Sequence, residues 1–147
     1  MLARDIMTKD VVTVEPQTSV QAIAELLLKH RISAVPVVNQ SGAMIGIVSE
    51  DDLMRRLEDV DQNRSWWLSL FSSRYHDAAD FVKARGQHAG DLATQPVVTL
   101  DEDTSINEIA RLLERHNVKR APVLRDGKLV GIVTRGDLMR TLAATRP

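Results

Sequence analysis

Gly46-Ile47-Val48-Ser49-Glu50-Asp51-Asp52 returns downstream as Gly131-Ile132-Val133-Thr134-Arg135-Gly136-Asp137. Each copy reads as a strand, Met44–Val48 or Leu129–Val133, that runs into a hydroxyl residue placed to cap a helix, 50–57 or 135–142. Outward from this pair, Asp5 to Leu57 and Asp91 to Leu142 align with a single one-residue gap, and 23 of the paired positions are identical. Units that cannot bury their apolar faces alone must stack on a neighbour. The expectation is two like halves related by a pseudo-two-fold axis, with two related clefts between them.

The rest of each copy follows one script. Val11-Val12-Thr13-Val14 and its echo Val97-Val98-Thr99 are rich in β-branched residues and read as short first strands. Pro16 stops the first, and Thr18 with Gln21 has capping-box spacing; in the second copy Ser105 and Glu108 fill those roles. Val20, Ile23, Ala24 and Leu27, and then Ile106, Ile109, Ala110 and Leu113, fall on single helical faces. Each helix should end near a matched histidine, His30 or His116, where a cation is favourable. Val35–Val38 and Ala121–Leu124 are second strands carrying Pro36 and Pro122. A proline cannot donate to a ladder, so these strands should lie at an edge or begin pairing one residue later. Asn39–Gly42 is a loose turn and Asp126-Gly127 a tight hairpin turn. The fold class is α+β, two β-α-β-β-α repeats (1–57 and 91–147) with a helical insert at 58–90 between them.

Composition sets the outer bounds. Nineteen basic and twenty acidic residues leave a formal charge of −1, so no bulk basic surface calls for duplex nucleic acid or an anionic membrane. Cysteine is absent, which removes disulfides and thiolate metal sites. No apolar run approaches the ~18 residues of a spanning helix, and Arg4 and Asp5 stand where a secretory leader would be apolar. A cytoplasmic location is expected. The histidines lack metal-ligand spacing, and no nucleophile–base set or glycine-rich phosphate loop occurs. No catalytic residue, metal site or cofactor is expected.

The motifs at 5–8 (Asp-Ile-Met-Thr), 35–38 (Val-Pro-Val-Val) and 46–52, each repeated in the second copy, resemble those of a CBS domain, and the whole chain resembles a tandem CBS pair. The resemblance implies a regulatory module, often dimeric, that binds adenosine-containing ligands such as AMP, ADP or ATP in its clefts. It also assigns residues. Ser49 with Asp52, and Thr134 with Asp137, belong to the family's ligand-binding motif, and each site adds the first strand and pre-proline segment of the other repeat. Ser49 and Asp52 would thus share a cleft with Val97, Val98, Lys119 and Arg120. Thr134 and Asp137 would share one with Val11, Val12, Ser33 and Ala34. The chemistry suits the assignment, since a carboxylate can accept from both hydroxyls of a ribose diol. A capped helix start favours an anion, and arginine grips phosphate with paired donors. Only the first cleft would have two cations, so it is expected to take the charged nucleotide.

The insert departs from the repeat. It holds every aromatic residue of the chain (Trp66, Trp67, Phe71, Tyr75 and Phe81), with Trp67, Phe71 and Tyr75 at helical spacing. It reads as an arm folded on the core or on a dimer partner, or as a docking surface for an effector protein. The competing function is therefore a ligand-free structural or protein-interaction module acting through these aromatics.

Overall fold

The computed structural model describes residues 1–58 and 88–145. The aromatic stripe of the insert lies outside the described residues. The chain sorts into two compact units, and each takes its body from one repeat and its leading segment from the other. One unit comprises Thr13–Asn39 and Ile45–Thr94; the other comprises Met1–Val12, Gln40–Met44 and Gln95–Pro147.

The unit built on the first repeat begins pairing at Val14, which bridges Val37 in parallel. Helix α2 (Val20–His30) follows, then β1 (Ala34–Val38), β2 (Met44–Ser49) and a helix, α3, over 50–58. The cap of α2 is Ser19, whose hydroxyl accepts from the Ala22 N–H at 3.1 Å. Thr18, the expected cap, instead accepts from the Glu15 N–H and closes the preceding turn. Ile23 is fully buried and Leu27 nearly so, which is the expected face. Arg31 then turns left-handed (φ 54°) and ends the helix.

The unit built on the second repeat has a three-stranded sheet in the order β3-β4-β5: β3 (Leu100–Asp101), β4 (Arg120–Arg125) and β5 (Lys128–Thr134). β3 runs parallel to β4 and β4 antiparallel to β5. Helix α5 (Ile106–Arg115) crosses over between β3 and β4, and α6 (Arg135–Ala144) follows β5. Ser105 caps α5 by accepting from Glu108 N–H at 3.3 Å, as the spacing required. Asp126 and Gly127 both have positive φ, 52° and 77°, the geometry of a two-residue hairpin turn that matches strand twist. Pro122 lies in the central strand, yet parallel pairing starts only at Val123, so its missing N–H deprives β3 of nothing. Val98, Leu100, Ile109, Leu113, Ala121, Val123, Val133 and Leu138 form the core with Ala3.

The first strands need correcting. Val11–Thr13 and Val97–Thr99 make no ladder; pairing starts three residues later than expected, at Val14 and Leu100. The reason is in the unit boundaries, because the chain leaves one unit for the other at Val12–Thr13 and again at Thr94–Gln95. Each segment therefore meets a strand of its own repeat only after the crossing.

The leading segments also explain a repeated motif. Asp5-x-x-Thr8 and Asp91-x-x-Thr94 lie in and just after two single-turn helices, α1 (Ala3–Ile6) and α4 (Ala89–Leu92). Each aspartate caps its own turn, accepting from the N–H of Leu2 (2.8 Å) or His88 (3.1 Å). Each threonine exchanges both backbone hydrogen bonds with the Gly-Ile-Val strand of the opposite repeat: Thr8 with Ile132, and Thr94 with Ile47. Ala3 and Ala89, with no exposed surface, are the anchors of these turns. The glycines before those isoleucines let the segments approach. A Cβ on Gly46 would stand 2.9 Å from Cβ of Ala93 and 3.1 Å from the Thr94 carbonyl oxygen, and one on Gly131 would collide with Met7.

Candidate functional site

The two strand-to-helix corners are the same device. At Thr134 the chain is extended (φ −114°), and its hydroxyl accepts from the Asp137 N–H at 3.2 Å. Oδ2 of Asp137 accepts in return from the Thr134 N–H (2.8 Å) and hydroxyl (3.1 Å). At the other corner, Asp52 Oδ2 accepts from the Ser49 N–H (2.7 Å) and hydroxyl (3.0 Å), and Ser49 Oγ accepts from the Asp52 N–H (3.3 Å). Reciprocal capping satisfies donors that a helix start leaves unmade, and it fixes both carboxylates in one orientation. Asp137 is itself buried, with 7% of its surface exposed. The outer oxygen, Oδ1, takes a guanidinium: Arg55 at the first corner and Arg140 at the second.

The pre-proline segments meet the corners of their own repeats. The Ser33 carbonyl accepts from Glu50 N–H at 2.8 Å, and the Lys119 carbonyl from Arg135 N–H at 3.0 Å. Arg120 stands opposite Thr134 in the β4–β5 register, and Arg135 Nε donates to the Val118 carbonyl at 3.1 Å. Thr134, Asp137, Lys119, Arg120, Val11, Val12, Val97 and Val98 therefore share one unit, while Ser49, Asp52, Ser33 and Ala34 share the other. Within the first group Val98 is committed to the core, Val97 is 68% exposed, and Val11 and Val12 are half-buried. Ala34 is buried beneath its corner and Arg120 is partly exposed.

A groove of about 380 Å³ opens on the outer face of Asp137, between α1 and α6, lined by Met1, Asp5, Ile6, Arg140, Thr141 and Thr145 among others. Sequence reasoning missed Arg55 and Arg140. The signal was present, because Leu-Met-Arg occurs at both 53–55 and 138–140, directly after each aspartate. Among the described residues, no group of three or more histidine or acidic side chains is placed to hold a metal ion. No described helix is long and apolar enough to cross a membrane.

With this geometry in hand, comparison with known proteins is direct. The CBS domain model matches residues 3–59 and 89–144, and the chain belongs to the CBS domain family. A protein of Methanocaldococcus jannaschii, MJ1426, is 35% identical over 97% of this chain and 91% of its own length. The chloroplastic CBS domain-containing protein CBSX1 of Arabidopsis thaliana is 33% identical over 92% of this chain, which spans 61% of that relative. Among solved structures, CBSX2 in complex with AMP superposes with a TM-score of 0.73 at 30% identity, covering 97% of this chain and 96% of that one. The CBS domain of a CBS domain-containing membrane protein from Sphaerobacter thermophilus gives 0.71 at 35% identity, covering 95% and 86%.

Proposed function

We propose that this chain is a non-catalytic sensor module that binds an adenosine-containing ligand, with Asp52 and Asp137 receiving ribose hydroxyls. The observation that carries this reading is the duplicated corner. Two carboxylates are held alike by the N–H and hydroxyl of their own capping residue, with Oδ1 turned away from the cap. The likeness to a CBS protein crystallised with AMP supports the same ligand class. Lys119 and Arg120 replace Ser33 and Ala34 of the first repeat and supply the phosphate donors, so a phosphorylated ligand is favoured where they contribute. Signalling follows from linkage: a ligand that binds one arrangement of the halves better than another shifts their equilibrium by that difference alone. The same i, i+3 pair, Met54/Leu57 and Met139/Leu142, is exposed on the last helix of each repeat, and in this reading a second copy of the chain covers it.

The test is a thermal-shift and titration panel of adenosine, AMP, ADP, ATP and adenosylmethionine on the wild type, Asp52→Asn, Asp137→Asn and Arg120→Ala. A true ligand at a hundred times its Kd should stabilise the fold by about 2.7 kcal/mol. Each Asp→Asn change should remove one site, and Arg120→Ala should weaken AMP more than adenosine. Absence of any shift across the panel, or wild-type affinity in the doubly Asp→Asn protein, sinks the reading.

A further inference from the structure

The carboxylates proposed to bind ribose are not vacant, and the third donor on each is the clue. Four lone-pair positions are available on a carboxylate. Oδ2 of each aspartate already takes two donors from the cap, and Oδ1 takes a guanidinium. A cis-diol donating two hydrogens to one carboxylate therefore finds a single position open. One resident donor must yield.

The three candidates differ in what their loss entails. The capping N–H belongs to the start of the helix, and stripping it leaves a part-buried donor unmade. The hydroxyl of Ser49 or Thr134 is held at both ends, because its oxygen also accepts from the aspartate N–H. The arginine is different. The side chains of Arg55 and Arg140 are 66% and 74% exposed, against 9% and 8% for their aspartates. A guanidinium so placed regains water when it leaves, while the diol hydroxyls take its place on the carboxylate. The arginine is the donor that leaves.

We propose that Arg55 and Arg140 are latches on the ribose-binding aspartates, released when the diol arrives, and that they bias each site against uncharged nucleosides. This rests on the aspartates' proposed ribose role. The released guanidinium stays tethered three residues along the helix, so its charge remains beside the ligand. A neutral nucleoside bears the cost of release and recovers nothing. A phosphorylated ligand recovers part of it through attraction to the same cation. The identical Leu-Met-Arg triplet and the identical contact at both corners show that the latch is duplicated with the site.

The experiment is calorimetric titration of adenosine and AMP into the wild type, Arg55→Ala/Arg140→Ala and Arg55→Lys/Arg140→Lys, each at low and high salt. Removing both latches should tighten adenosine about threefold, in keeping with the modest worth of a pair whose cation is solvent-exposed. AMP should gain less or lose. Lysine should restore most of the wild-type ratio, and high salt should narrow the gap between wild type and the alanine variant. If the wild type binds both ligands but the alanine variant keeps the wild-type ratio, the latch fails alone and the ribose assignment stands. If neither ligand binds the wild type, both fail together.

Discussion

The corner at Gly46–Asp52 and the corner at Gly131–Asp137 share the same reciprocal cap and the same outer ion pair, yet they sit in different company. Both carry the reciprocal cap, the outer arginine and the glycine that admits a leading segment. Beside the first stand Ser33 and Ala34; beside the second stand Lys119 and Arg120. What is shared is what the backbone demands: an extended residue entering a helix must satisfy its donors, and a crossing segment must have room. What differs is side-chain chemistry that no backbone bond fixes. The two copies thus share the frame of the corner and differ in the charge beside it.

That contrast can be broken at several levels, and the core is the harshest. Ile23 and Ile109 are paired positions, both without exposed surface. Replacing either by alanine should cost about 2–5 kcal/mol in urea unfolding. The two costs should agree within about 1 kcal/mol if the halves are equivalent scaffolds, given the usual spread for one chemistry. A large disparity would show that one repeat is the weaker partner.

Gly46→Ala and Gly131→Ala sharpen the comparison, because the glycines are equivalent but their neighbours are not. A methyl on Gly46 meets Ala93 Cβ and the Thr94 carbonyl, neither of which can swing aside, so it should cost about 1–3 kcal/mol. On Gly131 it meets chiefly the Sδ and Cγ atoms of Met7, a flexible side chain that can repack, and the cost should be smaller. Thermal unfolding of the two variants decides, and the reverse order would overturn the argument.

The smallest effect belongs to the second repeat alone. Arg125 forms a two-pronged pair with Glu102, and its hydrogen bond holds the Glu102 carboxyl below the ordinary carboxylate value of 4.5. A depressed folded-state value means that the pair stabilises the fold above the unfolded value and that this contribution is lost as pH falls through the folded one. Glu102→Gln should therefore lower Tm slightly at neutral pH, with the gap closing on acidification below about pH 4. The first repeat has no counterpart, since Arg125 is replaced there by Asn39.

Much of this was legible before any coordinates. The internal repeat, the helical faces, the Ser105 cap, the Asp126-Gly127 turn and the Ser/Thr–Asp corners are local patterns, written in residues three or four apart. The Thr18 cap failed because two adjacent hydroxyls compete for one helix start, and sequence does not rank them. The first strands were begun three residues early, at Val11 and Val97, because β-branched composition reports what a segment favours, not whether a neighbour lies alongside it.

The chain by itself determined that there are two copies, what elements each contains and which carboxylates close the strand-to-helix corners, because periodicity and capping act over a few residues. Only the tertiary structure decided that Asp5–Thr8 serves the second repeat and Asp91–Thr94 the first, and that Arg55 and Arg140 close on the aspartates. Exchange of segments between like halves leaves no local trace: either partner strand offers the same Gly-Ile-Val, and only the folded path of the chain selects between them.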